Sequence, residues 1–214
     1  ELNTTDYKVS GYESYTNAYS ILDKVNAERK RAGRKPLTMD KDLMEAAMQR
    51  AAELVVNMDH TRPSGLDCFT VEPKAWGENI AMGTYPLFDA STVMSWWMNS
   101  EGHRQNILRE NFVSIGVGCF EYNGIAYWVQ LFGTDMVVKA TKPADKNTTR
   151  IITVANDLLR STNDNSDKND GFEIKEPKVN MNNSDNMEEG KKKFDSISVL
   201  DNYIKRNSRV KSED

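Results

Sequence analysis

The chain has 214 residues with 28 Lys+Arg against 32 Asp+Glu, a formal net charge of −4. That is enough for one domain of ordinary size plus an appendage. There is no basic excess to meet a phosphate backbone, which argues against a nucleic-acid partner, and no apolar run approaches the roughly 20 residues a membrane helix needs.

Composition divides the chain near residue 140. Residues 141–214 carry 14 Lys+Arg and 14 Asp+Glu, so residues 1–140 hold the whole net charge. The reading is an N-terminal lead-in over 1–15, a domain over 16–140 and a polar C-terminal extension over 141–214. The chain opens at Glu1 without a Met or an apolar leader, the look of a processed or trimmed product.

In chain order, residues 1–15 are polar and aromatic-dotted and read as irregular. Ala18, Ile21, Leu22 and Val25 form an apolar stripe that predicts a helix over about Asn17 to Arg31, ended by Ala32-Gly33. Asp40 is a good N-cap for a second helix lined by Leu43, Met44, Ala47, Ala51, Leu54 and Val55 and expected to run to about Met58-Asp59-His60. Residues 61–75 read as loop from their Pro and Gly, and Trp76 to Gly83 as a short irregular or helical piece.

Asp89 caps a third helix, Ala90 to Met98, with Val93, Met94 and Trp97 inward, and Ser100 is the expected N-cap of a short fourth helix through Leu108. Asn123-Gly124 between two apolar runs then marks a tight hairpin, because a type I′ turn needs positive φ at both central residues. Pairing Tyr122 with Ile125 puts Gly116, Gly118, Phe120, Tyr127, Val129 and Leu131 on one face. Ile115, Val117, Cys119, Trp128, Gln130 and Phe132 fall on the other. Both faces are largely apolar, which predicts a three-layer α-β-α sandwich. Trp96, Trp97 and Trp128 are expected in its core.

Beyond Gly133, Met136 to Ala140 has the look of a last strand, and residues 150–159 suit either a strand at Arg150–Val154 or a helix. Residues 161–193 are too polar to offset their ordering entropy and read as disordered, with an amphipathic turn or two from Phe194 to Ile204. Cys68 and Cys119 fit either one disulfide or two buried thiols.

Two histidines, His60 and His103, both stand in motif-like surroundings, with Glu78 between them in a Gly-Glu-Asn turn. Two imidazoles and one or two carboxylates converging on a cleft would hold a divalent cation, zinc being the usual guest. The simpler readings are a helix-end cap or a hydrogen-bonded surface group for each His, a first-turn acid for Glu101, a backbone clamp for Glu78, and ion-paired or solvated side chains for Arg62 and Arg104. A Ser-His-acid set of Ser100, His103 and Glu78 is weaker, because capping accounts for the Ser.

The run of His60, then Gly77-Glu78-Asn79-Ile80, then Trp97-Met98-Asn99-Ser100-Glu101-Gly102-His103-Arg104-Gln105-Asn106-Ile107-Leu108, then Ile115-Gly116-Val117-Gly118 and Tyr127-Trp128-Val129-Gln130 resembles the CAP superfamily, or SCP-like extracellular proteins, in its bacterial branch. The likeness covers about residues 15 to 135. It implies an α-β-α sandwich with a mainly antiparallel sheet, a secreted or cell-surface location, and a cleft in which many members hold two His and two acids. Carried over, His60 matches the first cleft histidine and Glu78 the first acid. Tyr127 stands where eukaryotic members have their second histidine, so His103 would supply it from the helix start. Ser100 stands where many of those members have the second Glu, with Glu101 one residue on.

The resulting expectation is a secreted binding module with a Zn2+ or other divalent site at His60 and His103. Ser100, Asn79 and Arg104 would line the cleft, which would take a lipid, glycan or peptide. The alternative is a metal-dependent hydrolase or peptidase with Glu78 and Glu101 as its acids. The tail would serve as a link to a cell-surface partner.

Overall fold

The computed structural model describes residues 3–163 apart from Met136. Its centre is the predicted hairpin, β4 (Ser114–Tyr122) and β5 (Ile125–Gly133), in the register expected from Tyr122↔Ile125 through Ser114↔Gly133. Asn123 has φ 50° and Gly124 φ 75°, the backbone that the tight turn demands.

Around it stand β1 (Thr4–Glu13), β2 (Thr38–Met39), β3 (Gly77–Thr84) and β6 (Lys146–Ala155), in the order β3-β5-β4-β1-β6 with β2 beside β4. All pairings are antiparallel except β2 with β4. Helix α2 (Lys41–Leu54) covers one face. There a Cβ on Gly116 would lie 2.0 Å from the Leu43 carbonyl oxygen, and one on Gly118 2.3 Å from that of Ala47. Only glycine lets the helix backbone settle directly on the strand. Helices α1 (Tyr15–Arg31), α3 (Ala90–Asn99) and α4 (Glu101–Leu108) form the layer on the opposite face, the face of Cys119 and Gln130. The three-layer sandwich is thus present.

Several local expectations change. Within the lead-in expected over 1–15, Thr4–Glu13 is strand β1, paired along its whole length with β6, and residues 146–155 therefore belong to the sheet although they lie past residue 140. Strand wins over helix there, and a short helix α5 (Asn156–Asn163) follows. Of the piece expected over Trp76 to Gly83, all but Trp76 is strand, because β3 finds a full partner in β5. The second helix stops at Leu54, short of His60. The Val55 and Val56 amides turn back to the Ala52 and Glu53 carbonyls, and Asp59 then caps the Thr61 amide. Of the strand expected over Met136 to Ala140, the described residues 137–140 contribute one isolated bridge, Asp40↔Lys139. Both cysteines are free and buried. Of the disorder expected over 161–193, residues 161–163 are instead the end of α5, and the rest, with the turn expected at 194–205, lies outside the described residues.

Candidate functional site

The site is organised by two successive residues of the edge strand β3. Side chains alternate across a strand, so Glu78 faces the α2 layer and Asn79 the α4 layer, and each holds one histidine segment. Glu78, nearly fully buried, receives Arg50 Nε at 2.8 Å on Oε2, with Arg50 Nη2 at 3.1 Å and His60 Nδ1 at 2.8 Å on Oε1.

Arg50 is completely buried and also donates to Glu53 at 3.1 Å and to the Asp59 carbonyl at 2.8 Å, while Arg62 closes on Glu53 at 2.6 Å. Burial alone would push the Glu78 carboxyl up, but the hydrogen bonds and charges of His60 and Arg50 outweigh it and leave Glu78 below the usual carboxylate range. An ionised carboxylate only accepts, so Nδ1 of His60 carries a proton and Nε2 is the nitrogen left for a ligand. The His60 side chain is 59% exposed, so that nitrogen meets solvent.

On the other face Asn79 donates to the His103 carbonyl at 3.0 Å and to Gln130 Oε1 at 2.9 Å, and accepts from Asn106 at 2.9 Å. Ser100 does not cap α4 with its side chain. Its Oγ sits 2.7 Å from His103 Nδ1 instead. Burial and the nearby His60 push His103 below its ordinary pKa, which favours the neutral, ligating imidazole. The His103 ring also packs at 5.1 Å from Trp96, which is 50% exposed and outside the core expected for it.

Other expected residues are arranged differently. Glu101 is exposed and accepts from Gln105, apart from the Glu78 cluster. Asn79 is 1% exposed and supports the site from beneath in place of lining a cleft, because its amide is spent on three partners. Arg104 donates to the Met98 carbonyl on an exposed helix face. Glu78 clamps side chains and no backbone amide. Sequence reasoning missed Arg50, although it sits in the apolar stripe between Ala47 and Leu54, where a charge demands a partner. It also missed Cys68, which offers a sulfur within 4.8 Å of the His60 and Glu78 ligand atoms. Burial, with Glu78 and Asp67 beside it, pushes that thiol up to about 12.

A family model described as the cysteine-rich secretory protein family, CAP, matches residues 22–132, just over half of the chain. The chain belongs to the CAP family. YkwD of Bacillus subtilis, an uncharacterized protein, is 36% identical to this CAP chain over 138 residues, 61% of the chain and 51% of YkwD. The CAP chain thus spans about half the length of that relative. An extracellular SCP-domain protein from Bacillus anthracis aligns at 24% identity with a TM-score of 0.48, over 56% of this chain and 41% of that one. The structure titled NaASP2 with Zn2+ aligns at 15% identity with a TM-score of 0.46, over 61% and 85%. None of the helices among the described residues is long and apolar enough to cross a membrane.

Proposed function

We propose that this CAP-family chain is an extracellular or cell-surface binding module. Its cleft would hold a divalent cation, zinc above all, between His60 and His103 and engage a lipid, glycan or peptide beside it. The observation that carries this reading is the matched anchoring of the two rings. Each Nδ1 is engaged by its own partner, Glu78 or Ser100, and neither Nε2 has a hydrogen-bond partner among the described residues. Anchoring the far nitrogen of an imidazole fixes the ring for a cation, and the Glu78 carboxylate, which only accepts, also fixes the tautomer of His60. Burial, and after it the charge of His60, lowers His103, which favours the neutral ring that a cation needs. When bound, the cation would offer a Lewis-acidic anchor for an oxygen of the ligand. The half-exposed Trp96 beside His103 supplies an apolar wall.

A hydrolase has less support. Its general base would be Glu78, and that carboxylate is already held by Arg50 and His60 and kept weakly basic. Glu101 is turned to Gln105. Calorimetric titration with zinc tests the binding reading. Wild type takes up zinc, His103→Ala weakens it, and the His60→Ala/His103→Ala pair abolishes it. Unchanged affinity in the double variant discards the two-imidazole site.

A further inference from the structure

The inner side of His60 carries a second donor set that the two-imidazole reading leaves unused. His60, Cys68 and Glu78 each present a ligand atom, and the three atoms lie within 4.8 Å of one another. Zinc bonds of about 2.0–2.3 Å to nitrogen, oxygen and sulfur need donors spaced by about twice that length or less. Cys68 opens a one-turn 3-10 helix, Cys68–Val71, whose preceding residue Asp67 accepts from the Phe69 amide, so its place against Glu78 is fixed by its own loop.

We propose that Cys68, His60 through Nδ1, and Oε1 of Glu78 form a sulfur-containing site for a borderline-soft divalent cation such as zinc or cadmium. Arg50 keeps Oε2 of the carboxylate at 2.8 Å through Nε and Oε1 at 3.1 Å through Nη2, and the Oε1 lone pair now facing His60 turns to the cation. The thiol proton leaves to solvent, and the ring proton passes from Nδ1 to Nε2, so the imidazole stays neutral. The inner site and the outer Nε2 site therefore exclude each other on a single His60. Arg50 and Arg62 balance Glu78 and Glu53, so a thiolate and a dication add one net positive charge. That charge lies where the exposed His60 ring opens to water. A thiolate in the donor set selects against magnesium and calcium, which take oxygen ligands. The site uses His60 but not His103, so its failure and that of the two-imidazole reading are separable.

The test is a titration of the reduced full chain with Co2+, followed by absorption. An intense near-ultraviolet thiolate-to-cobalt charge-transfer band is expected in wild type and in His103→Ala. It should vanish in Cys68→Ser, a near-isosteric change that keeps the fold by circular dichroism. Cadmium should bleach the band and magnesium should not. Cobalt bound by wild type with visible ligand-field bands alone overturns the sulfur site and leaves the two-imidazole reading standing. A charge-transfer band that survives Cys68→Ser, with Cys119 as its source, overturns it as well. No uptake of cobalt by wild type overturns both.

Discussion

The two histidines are held by unlike chemistry on the two faces of one strand. Beneath His60 lies a buried ionic lattice in which Arg50, Glu78, Glu53 and Arg62 satisfy one another. Beneath His103 lies a neutral ladder of amides, Asn106, Asn79 and Gln130, ending on the His103 carbonyl. The lattice fixes its imidazole directly, through a carboxylate. The ladder fixes only the backbone and leaves ring orientation to Ser100. Charge buried without water is strongly held but fails hard when one partner goes, whereas an amide ladder loses one desolvated group at a time.

Arg50→Ala should give the largest effect, because it takes the buried guanidinium from two buried carboxylates and leaves Glu78 with His60 and Glu53 with Arg62. A loss of about 3–5 kcal/mol in unfolding free energy is expected from urea denaturation. A loss below about 1 kcal/mol would mean that water reaches Glu78 and that the lattice is not the stronger anchor. On the other face Asn79→Ala should cost about 1–3 kcal/mol, since it leaves Gln130 Oε1 and Asn106 Nδ2 without this partner in a buried setting. If Asn79→Ala proves as costly as Arg50→Ala in the same assay, the contrast between the faces is wrong.

How much of this was legible in the sequence varies by element. The hairpin register followed from Asn123-Gly124, because a two-residue turn leaves one pairing. The α3 face followed from Asp89, Val93, Met94 and Trp97, all local features. Strand β1 was hidden because its inward positions Tyr7, Val9, Gly11 and Glu13 show no run of aliphatic side chains. Glu13 is buried against Arg150, 137 residues away, which pairs with it at 2.7 Å, and Tyr15, which donates to it at 3.0 Å. Glu78 and the two histidines were visible as residues, yet their partners were not. Arg50 lies 28 positions from Glu78, and an arginine on a helix announces nothing until the opposing carboxylate is placed. Trp96 read as core beside Trp97, but on α3 neighbouring positions point about 100° apart, so one tryptophan faces in and the other out.

Ser100→Ala should have the smallest effect on stability and the most informative one on the site. The hydroxyl caps no backbone amide of α4, so helix stability does not depend on it. Its one hydrogen bond goes to a half-buried ring, and losing it should change unfolding free energy by about 1 kcal/mol or less. Ring orientation is another matter. Without Oγ at 2.7 Å, His103 has no fixed partner at Nδ1, and its ring is free to turn. Loss of such an outer partner typically weakens metal affinity about 10–100-fold. Zinc calorimetry on Ser100→Ala should therefore show a weakening far beyond the small stability change. Ser100→Thr, which restores a hydroxyl, should recover most of it. Unchanged zinc affinity in Ser100→Ala would mean that the amide ladder orients His103 unaided, and the two faces would then anchor their imidazoles equally well.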